Sequence, residues 1–223
     1  MHDTEAWLLE GRPNRYVQLA TAASLEGESS LRRWHDLGAA AAQRLGAEQV
    51  VIDVRVRQDA FDPAHVDAIA GAGLIYLSGG NPQHLARTLI DTPVWNAIRT
   101  SWLGGSSLAG CSAGAMALGG YVPDIRHPRK GGQDGLGVVP ELRVLPHFDV
   151  YAKWIPDMIM RPLLAQGATV VGIDEQTSLQ AEPPADPREP WQFRGVGRGS
   201  CWRIESDRKY RVNSPLSLAV AIT

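Results

Sequence analysis

The sequence predicts an α/β protein: a three-layer α/β/α sandwich with a mostly parallel sheet and a short antiparallel meander at its C-terminal end. Three observations carry that expectation. Short apolar runs alternate with stretches of helical periodicity along most of the chain, the pattern of parallel βαβ units covered by helices on both faces. Three helix starts show an acceptor side chain followed by proline, at Asp62-Pro63, Asn81-Pro82 and Thr92-Pro93. Beyond about residue 178 the apolar runs become shorter and closer, punctuated by Gly195, Gly197 and Gly199.

Taken in order, Arg15 to Ala20 reads as the first strand. Leu31, Trp34, Ala41 and Leu45 share one helix face, with Ser29 and Ser30 as candidate caps. Gln49 to Val54 is the next strand, and the helix opened by Asp62-Pro63 follows it. Leu74 to Leu77 is a short buried strand. Ser107 to Ala109 leads into another strand end, followed by the small-residue run Ala113 to Leu118. Leu142 to Leu145 and Thr169 to Ile173 complete the parallel set. The meander is expected from Ser178 to Gln180, Trp191 to Phe193, Cys201 to Ile204 and Tyr210 to Val212. Proline density makes Glu182 to Pro190 an exposed loop. With no internal repeat and no long linker, residues 1–223 are expected to form one domain.

Composition excludes several classes. The chain has 223 residues, of which 44% are apolar and 21% charged, as in an ordinary globular protein. Its formal net charge is −2 and it has no basic block, so nothing attracts it to nucleic acid or an anionic membrane. No apolar run is long enough to span a bilayer, and Met-His-Asp-Thr-Glu-Ala lacks the features of a secretory signal. Cys111 and Cys201 form no disulfide framework and show no metal spacing. The expectation is a cytoplasmic protein in a reducing compartment.

The richest stretch is Leu108-Ala109-Gly110-Cys111-Ser112-Ala113-Gly114-Ala115, which contains Gly-x-Ser-x-Gly between a strand and a helix. That is the arrangement of a nucleophile elbow, with Ser112 exposed on a tight turn and the Ala113 N–H aimed at an oxyanion. A small-residue turn without chemistry fits the bare pattern equally. Cys111 is flanked at two residues' distance by Ala109 and Ala113 rather than by glycine. The frame therefore favours Ser112, with Cys111 turned into the core as a small apolar residue. Leu77-Ser78-Gly79-Gly80-Asn81-Pro82 is a second glycine turn between strand and helix, and Gly80 is a candidate second oxyanion donor.

A serine nucleophile needs a base, and the base an orienting acid. His35, His65 and His84 fall in expected helices, and His127 falls in a polar loop. His147 directly follows a strand, so it is the best placed of the six histidines. Glu175 follows the strand ending at Ile173, with Asp174 beside it, and Asp124 is a third carboxylate to consider.

Together these pieces resemble the dipeptidase E and cyanophycinase group of serine peptidases. The resemblance runs from about Tyr16 to about Ile204 and rests on Leu-Ser-Gly-Gly-Asn, Gly-Cys-Ser-Ala-Gly-Ala, Pro146-His147-Phe148 and Gly-Ile-Asp-Glu, in that order. The spacings are also similar, with 35 residues from Ser112 to His147 and 28 from His147 to Glu175. The resemblance implies a class I glutamine amidotransferase-like fold and hydrolysis of small aspartyl peptides, with N-terminal Asp in one branch and β-linked Asp-Arg in the other. It implies Ser112 as nucleophile, His147 as base, Glu175 as the third member with Asp124 as alternative, and Gly80 and Ala113 as the oxyanion hole. Neither a metal nor an organic cofactor is implied. Asn81, Gln83, Arg126 and Arg129 are the candidates for binding a substrate carboxylate.

One departure stands out. Family members begin with a strand and glycine-rich turn ahead of the strand at Tyr16. Here that place holds only Met1 to Asn14, in which Trp7-Leu8-Leu9 looks like a helix end. A sheet lacking a strand is expected to expose an edge. Other readings are an amidase or esterase on the same scaffold, or a non-catalytic member. The partner expected is a small peptide, with the chain a monomer or homodimer. Specificity is expected in the loops Tyr121 to Gly137 and Glu182 to Pro190.

Overall fold

The computed structural model describes residues 2–124, 131–151, 163–164, 167–186, 188–206 and 208–221. The chain divides into two compact units, His2–Ala115 and Met116–Thr223, taken here in turn.

The first unit holds a four-stranded, wholly parallel sheet. Its strands are β1 (Arg15–Leu19), β2 (Glu48–Val51), β3 (Leu74–Leu77) and β4 (Ser107–Gly110), in the order β2-β1-β3-β4. Every residue of β3 except Tyr76 is buried, as a parallel strand covered on both faces requires. The helices are α1 (His2–Leu9), α2 (Glu28–Leu45), α3 (Pro63–Ile69), α4 (Pro82–Leu89) and α5 (Pro93–Leu103). Leu9 of α1 and Ala41 and Ala42 of α2 pack on Tyr16 and Leu74 of the sheet.

The cap-plus-proline starts are all observed. Asp62 accepts the Ala64 N–H, Asn81 the His84 N–H and Thr92 the Trp95 N–H. The α2 start differs from expectation. The helix begins at Glu28, one residue after Gly27, and has no side-chain cap; Ser30 instead donates to the Glu26 carboxylate at 2.7 Å. Strand β2 ends at Val51, earlier than the apolar run suggested, and Ile52 and Val54 are buried beyond it. The N-terminal segment is helical, as Trp7-Leu8-Leu9 indicated. Strand β1 has paired neighbours on both sides, and β2, with exposed Glu48 and Val51, is the outer strand next to it.

The helix α6 (Ala113–Leu118) follows β4. In the second unit, β5 (Tyr121–Pro123) and β6 (Gly132–Asp134) form an antiparallel pair inside the stretch read as a loop. Strand β7 (Leu142–Pro146) pairs in parallel with β8 (Thr169–Ile173). The remaining strands are β9 (Thr177–Gln180), β10 (Trp191–Gly197), β11 (Cys201–Ile204), β12 (Lys209–Arg211) and β13 (Leu216–Leu218). They are antiparallel, as expected, but they divide between two sheets, β13-β10-β9 and β12-β11-β8-β7. Leu145, Phe148, Leu163, Val170 and Ile204 form this unit's core cluster. Among the described residues, no helix is long and apolar enough to cross a membrane.

Candidate active site

In the first unit the turn that carries Ser112 is built by close approach. Ser112 lies between β4 and α6 at φ +49°, a left-handed conformation that a non-glycine residue holds only under strain. The glycines on either side are obligatory. A Cβ at Gly114 would stand 2.2 Å from the Leu77 carbonyl oxygen, and one at Gly110 would stand 2.5 Å from the Gly114 carbonyl carbon. The Cys111 N–H donates to Leu77 O at 3.0 Å, continuing the β3–β4 pairing into the turn. The turn therefore has a single setting, and a strained serine presented on it is the feature of an elbow.

The second glycine turn meets the first. A Cβ at Gly79 would lie 3.4 Å from the Ser112 Cβ and 2.7 Å from Cζ2 of Trp34. Gly80 has φ +136°, and a Cβ there would lie 2.3 Å from the Ala22 carbonyl oxygen. The Asn81 N–H donates to that same oxygen at 2.7 Å. Among the described residues, neither the exposed Gly80 N–H nor the Ala113 N–H has a protein acceptor. Two strand-to-helix turns thus each present an amide donor without a partner among the described residues.

Cys111 is turned inward. Its thiol is hydrogen-bonded to the Tyr76 side chain and accepts the Gly79 N–H, and burial pushes its pKa up despite both bonds. Tyr76 in turn stacks on Tyr16 with ring centroids 5.7 Å apart. A half-buried thiol whose pKa is raised is a poor nucleophile, which is consistent with the glycine-frame argument for Ser112.

In the second unit, His147 follows β7 and opens α7 (Phe148–Tyr151). It too is left-handed, at φ +52°. The anchor is Phe148, 5% exposed and packed over Gly172 of β8, where a Cβ would lie 2.4 Å from the ring. The His147 Nδ1 meets Glu175 Oε1 at 3.2 Å. With Nδ1–H toward the carboxylate, Nε2 carries the lone pair a general base needs. The Glu175 N–H donates to Asp149 Oδ1 at 3.0 Å, so α7, which follows His147 directly, also holds the Glu175 backbone. The Tyr151 ring stands edge-on to His147, with centroids 6.2 Å apart. The pair is open to solvent, the His147 and Glu175 side chains being 41% and 54% exposed.

The other carboxylates fall elsewhere. Asp174 accepts from Trp202 Nε1 at 3.0 Å and from the Ser200 N–H at 2.9 Å, so it ties β11 to β8. Asp124 follows β5, and its N–H donates to Gly131 O at 3.2 Å. Asn81 uses its side-chain oxygen to cap α4, and Gln83 lies half-buried in that helix's first turn. His84 Nε2 meets Ser24 Oγ at 2.8 Å and Arg55 O at 2.9 Å, a contact that braces α4 against the segments holding Ser24 and Arg55. Arg126, His127 and Arg129 lie outside the described residues. Sequence reasoning missed Asp149 and Tyr151. The signal was their place one and three positions beyond Phe148, along the same turn of helix, on the residue run that already marked His147.

An α/β fold with a strained Gly-x-Ser-x-Gly serine, and with an imidazole–carboxylate pair at strand ends, defines the serine-hydrolase class by its parts. The chain belongs to peptidase family S51, whose model matches residues 34–183. It is similar to the cyanophycinase of Nostoc sp. (strain PCC 7120 / SAG 25.82 / UTEX 2576), at 29% identity over 182 residues that cover 78% of this chain and 59% of that protein. It is also similar to the cyanophycinase of Synechococcus elongatus, at 29% identity over 221 residues that cover 91% of this chain and 64% of that protein. The chain therefore spans 59% to 64% of the length of these curated relatives. Among solved structures it is similar to a peptidase from an acI-B1 Actinobacterium, with 37% identity, a TM-score of 0.83, and coverage of 97% of this chain and 90% of that one.

Proposed function

We propose that this chain is a serine-type peptidase that hydrolyses small aspartyl peptides, with N-terminal Asp or a β-linked isoaspartyl bond, through a Ser112-His147-Glu175 triad. The observation that carries the reading is Ser112 held left-handed where two glycine turns meet, with Gly80 and Ala113 N–H groups that lack acceptors among the described residues. Family membership supports the peptidase class. The resemblance to the dipeptidase E and cyanophycinase group supplies the substrate class.

In this mechanism Ser112 Oγ attacks the scissile carbonyl while His147 Nε2 takes its proton. The Gly80 and Ala113 N–H groups bind the oxyanion of the tetrahedral intermediate. His147 then protonates the leaving amine, the C–N bond breaks and an acyl-enzyme remains. A water attacks the acyl-enzyme with His147 again as base, and Ser112 is released with the free acid product. Glu175 keeps Nδ1 protonated and stabilises the imidazolium; its pairing at 3.2 Å favours it over Asp124 for this role. The mechanism requires Ser112 Oγ and His147 Nε2 to share a hydrogen bond in the working enzyme. Asn81 and Gln83 are assigned to the substrate carboxylate. No metal or organic cofactor takes part, and residues 1–223 act as one class I glutamine amidotransferase-like domain.

The test is hydrolysis of Asp-Leu, Asp-Ala and β-Asp-Arg beside a p-nitrophenyl ester, each with Ser112→Ala in parallel. Cleavage of one aspartyl class that is lost in the variant is the expected result. Ester turnover without peptide cleavage would move the assignment to an esterase or amidase on the same fold.

A further inference from the structure

Gln18 is an amide set in the middle of an apolar strand. Val17 and Leu19 are fully buried and Gln18 is 1% exposed. A parallel strand covered on both faces has no solvent side for a polar residue, and a buried amide is tolerated only when its hydrogen bonds are made. Here they are made. Nε2 donates to Trp34 O at 2.8 Å and to Ser78 Oγ at 3.2 Å. Oε1 accepts from Gln49 Nε2 at 3.0 Å, and Gln49 also donates to His35 O at 2.8 Å. The Trp34 carbonyl can only accept, which fixes which end of the Gln18 amide faces it. The helix opposite makes room: a Cβ at Gly38, in the middle of α2, would lie 2.0 Å from Gln18 Oε1.

Gln18 holds the Ser78 hydroxyl and the Trp34 backbone carbonyl, and each of these two residues borders the Gly79-Gly80 turn. Ser78, fully buried, immediately precedes Gly79. Trp34 lays its ring edge 2.7 Å from where a Gly79 Cβ would be, and the Ser112 Cβ lies 3.4 Å from that same point. The Ser78 N–H is fixed to Leu19 O at 2.9 Å and the Asn81 N–H to Ala22 O at 2.7 Å. Two glycines in succession are conformationally soft, so the direction of the Gly80 N–H depends on how firmly their neighbours are held. An oxyanion donor acts only when it is set in advance to a fraction of an ångström.

We propose that Gln18 is a positioning residue for the reaction: through Ser78 and Trp34 it holds the Ser78–Gly80 turn where the Gly80 N–H faces the oxyanion beside Ser112. The inference rests on the reading of Ser112 as nucleophile and Gly80 as donor. Gln18 touches no reacting atom and acts from the core, by directional hydrogen bonds that an apolar side chain of equal size cannot supply.

The test uses two variants of the full chain with Ser112→Ala as the control. Ser78→Ala removes one oxygen and leaves Gln18 bonded to Trp34 and Gln49. Gln18→Met keeps the length and removes every bond. The readouts are kcat and KM on the aspartyl peptides, the rate of inactivation by diisopropyl fluorophosphonate, and the thermal midpoint. Inactivation needs no identified peptide substrate. For Ser78→Ala we expect kcat and the inactivation rate to fall about tenfold, with KM within about twofold. Gln18→Met is expected to lose at least as much; if it does not fold, Ser78→Ala decides the matter. A loss of thermal midpoint with unchanged kcat and inactivation rate would make the network merely structural and overturn the proposal. Retained turnover and labelling in Ser112→Ala would overturn the underlying reading, and this proposal with it.

Discussion

The two units of the chain hold their functional groups in opposite ways. In His2–Ala115 the serine turn is over-determined from behind. Glycines at positions 80, 110 and 114 bring backbone against backbone, Gly79 admits the Trp34 ring edge, and a buried amide network borders the turn beside them. In Met116–Thr223 the imidazole–carboxylate pair stands at the surface, held by one anchored phenylalanine, one backbone bond to Asp149 and a left-handed residue. On the proposed triad, the difference matches the work each group would do. A nucleophile and its oxyanion donors act through fixed geometry, which dense packing supplies. A base and its acid act through proton movement, which needs an imidazole held by its acid partner and reachable by substrate and water.

That contrast can be broken or sharpened by substitution. The largest effect is expected at the nucleophile: Ser112→Ala should lower kcat by a factor on the order of 10⁴ or more, while Cys111→Ala stays within about tenfold of the parent. The reverse order, measured on the same peptide, would overturn the glycine-frame argument. On the exposed side, His147→Ala and Glu175→Gln should each cost about 10²- to 10⁴-fold in kcat, and Asp124→Asn far less. A larger loss in Asp124→Asn than in Glu175→Gln would transfer the acid role.

Glycine substitutions compare the packing directly. Gly114→Ala, 2.2 Å from the Leu77 carbonyl, should destabilise by about 3 kcal/mol or more in chemical denaturation. Gly137, unlike Gly114, is left-handed at φ +69°, but it has open space around it, so Gly137→Ala should cost only about 1 to 2 kcal/mol. Equal costs would mean that close approach is not what shapes the serine turn. Asp149→Ala frees the Glu175 N–H and should lower kcat several-fold, the equivalent of about 1 kcal/mol for one hydrogen bond.

The smallest effect concerns the thiols. Burial pushes the Cys201 thiol from 9.0 up to about 11. A raised folded-state value means that the neutral thiol contributes stability in full below the ordinary value, and that this contribution fades as pH rises through the window from 9.0 to about 11. Cys201→Ala should flatten that alkaline decline in unfolding free energy; an unchanged slope would assign the decline to other groups.

Much of this was legible in the sequence, and for identifiable reasons. Caps and breakers are local, so Asp62, Asn81 and Thr92 marked their helices correctly. The strand from Leu74 to Leu77 and the helix from Ala113 to Leu118 were read to the residue, because apolar runs and small-residue runs have few alternatives. What escaped was non-local. The pairing of β11 with β8, and of β10 with β9 and β13, depends on long-range partners that alternation does not reveal. Strands β5 and β6 are three residues each, too short to show a period. Gln18 read as one residue of a strand, and its importance lies in partners 16, 31 and 60 positions away. The one local trace of it was Gly38 in mid-helix, where alanine would otherwise be preferred.

The central claim is that Ser112 is the nucleophile, and the most direct measurement is where a fluorophosphonate attaches. The folded chain, treated with diisopropyl fluorophosphonate and mapped by peptide mass spectrometry, should carry one adduct, on Ser112, and none in Ser112→Ala. A folded chain that takes no adduct, or takes it on Cys111 or another residue, would contradict the account.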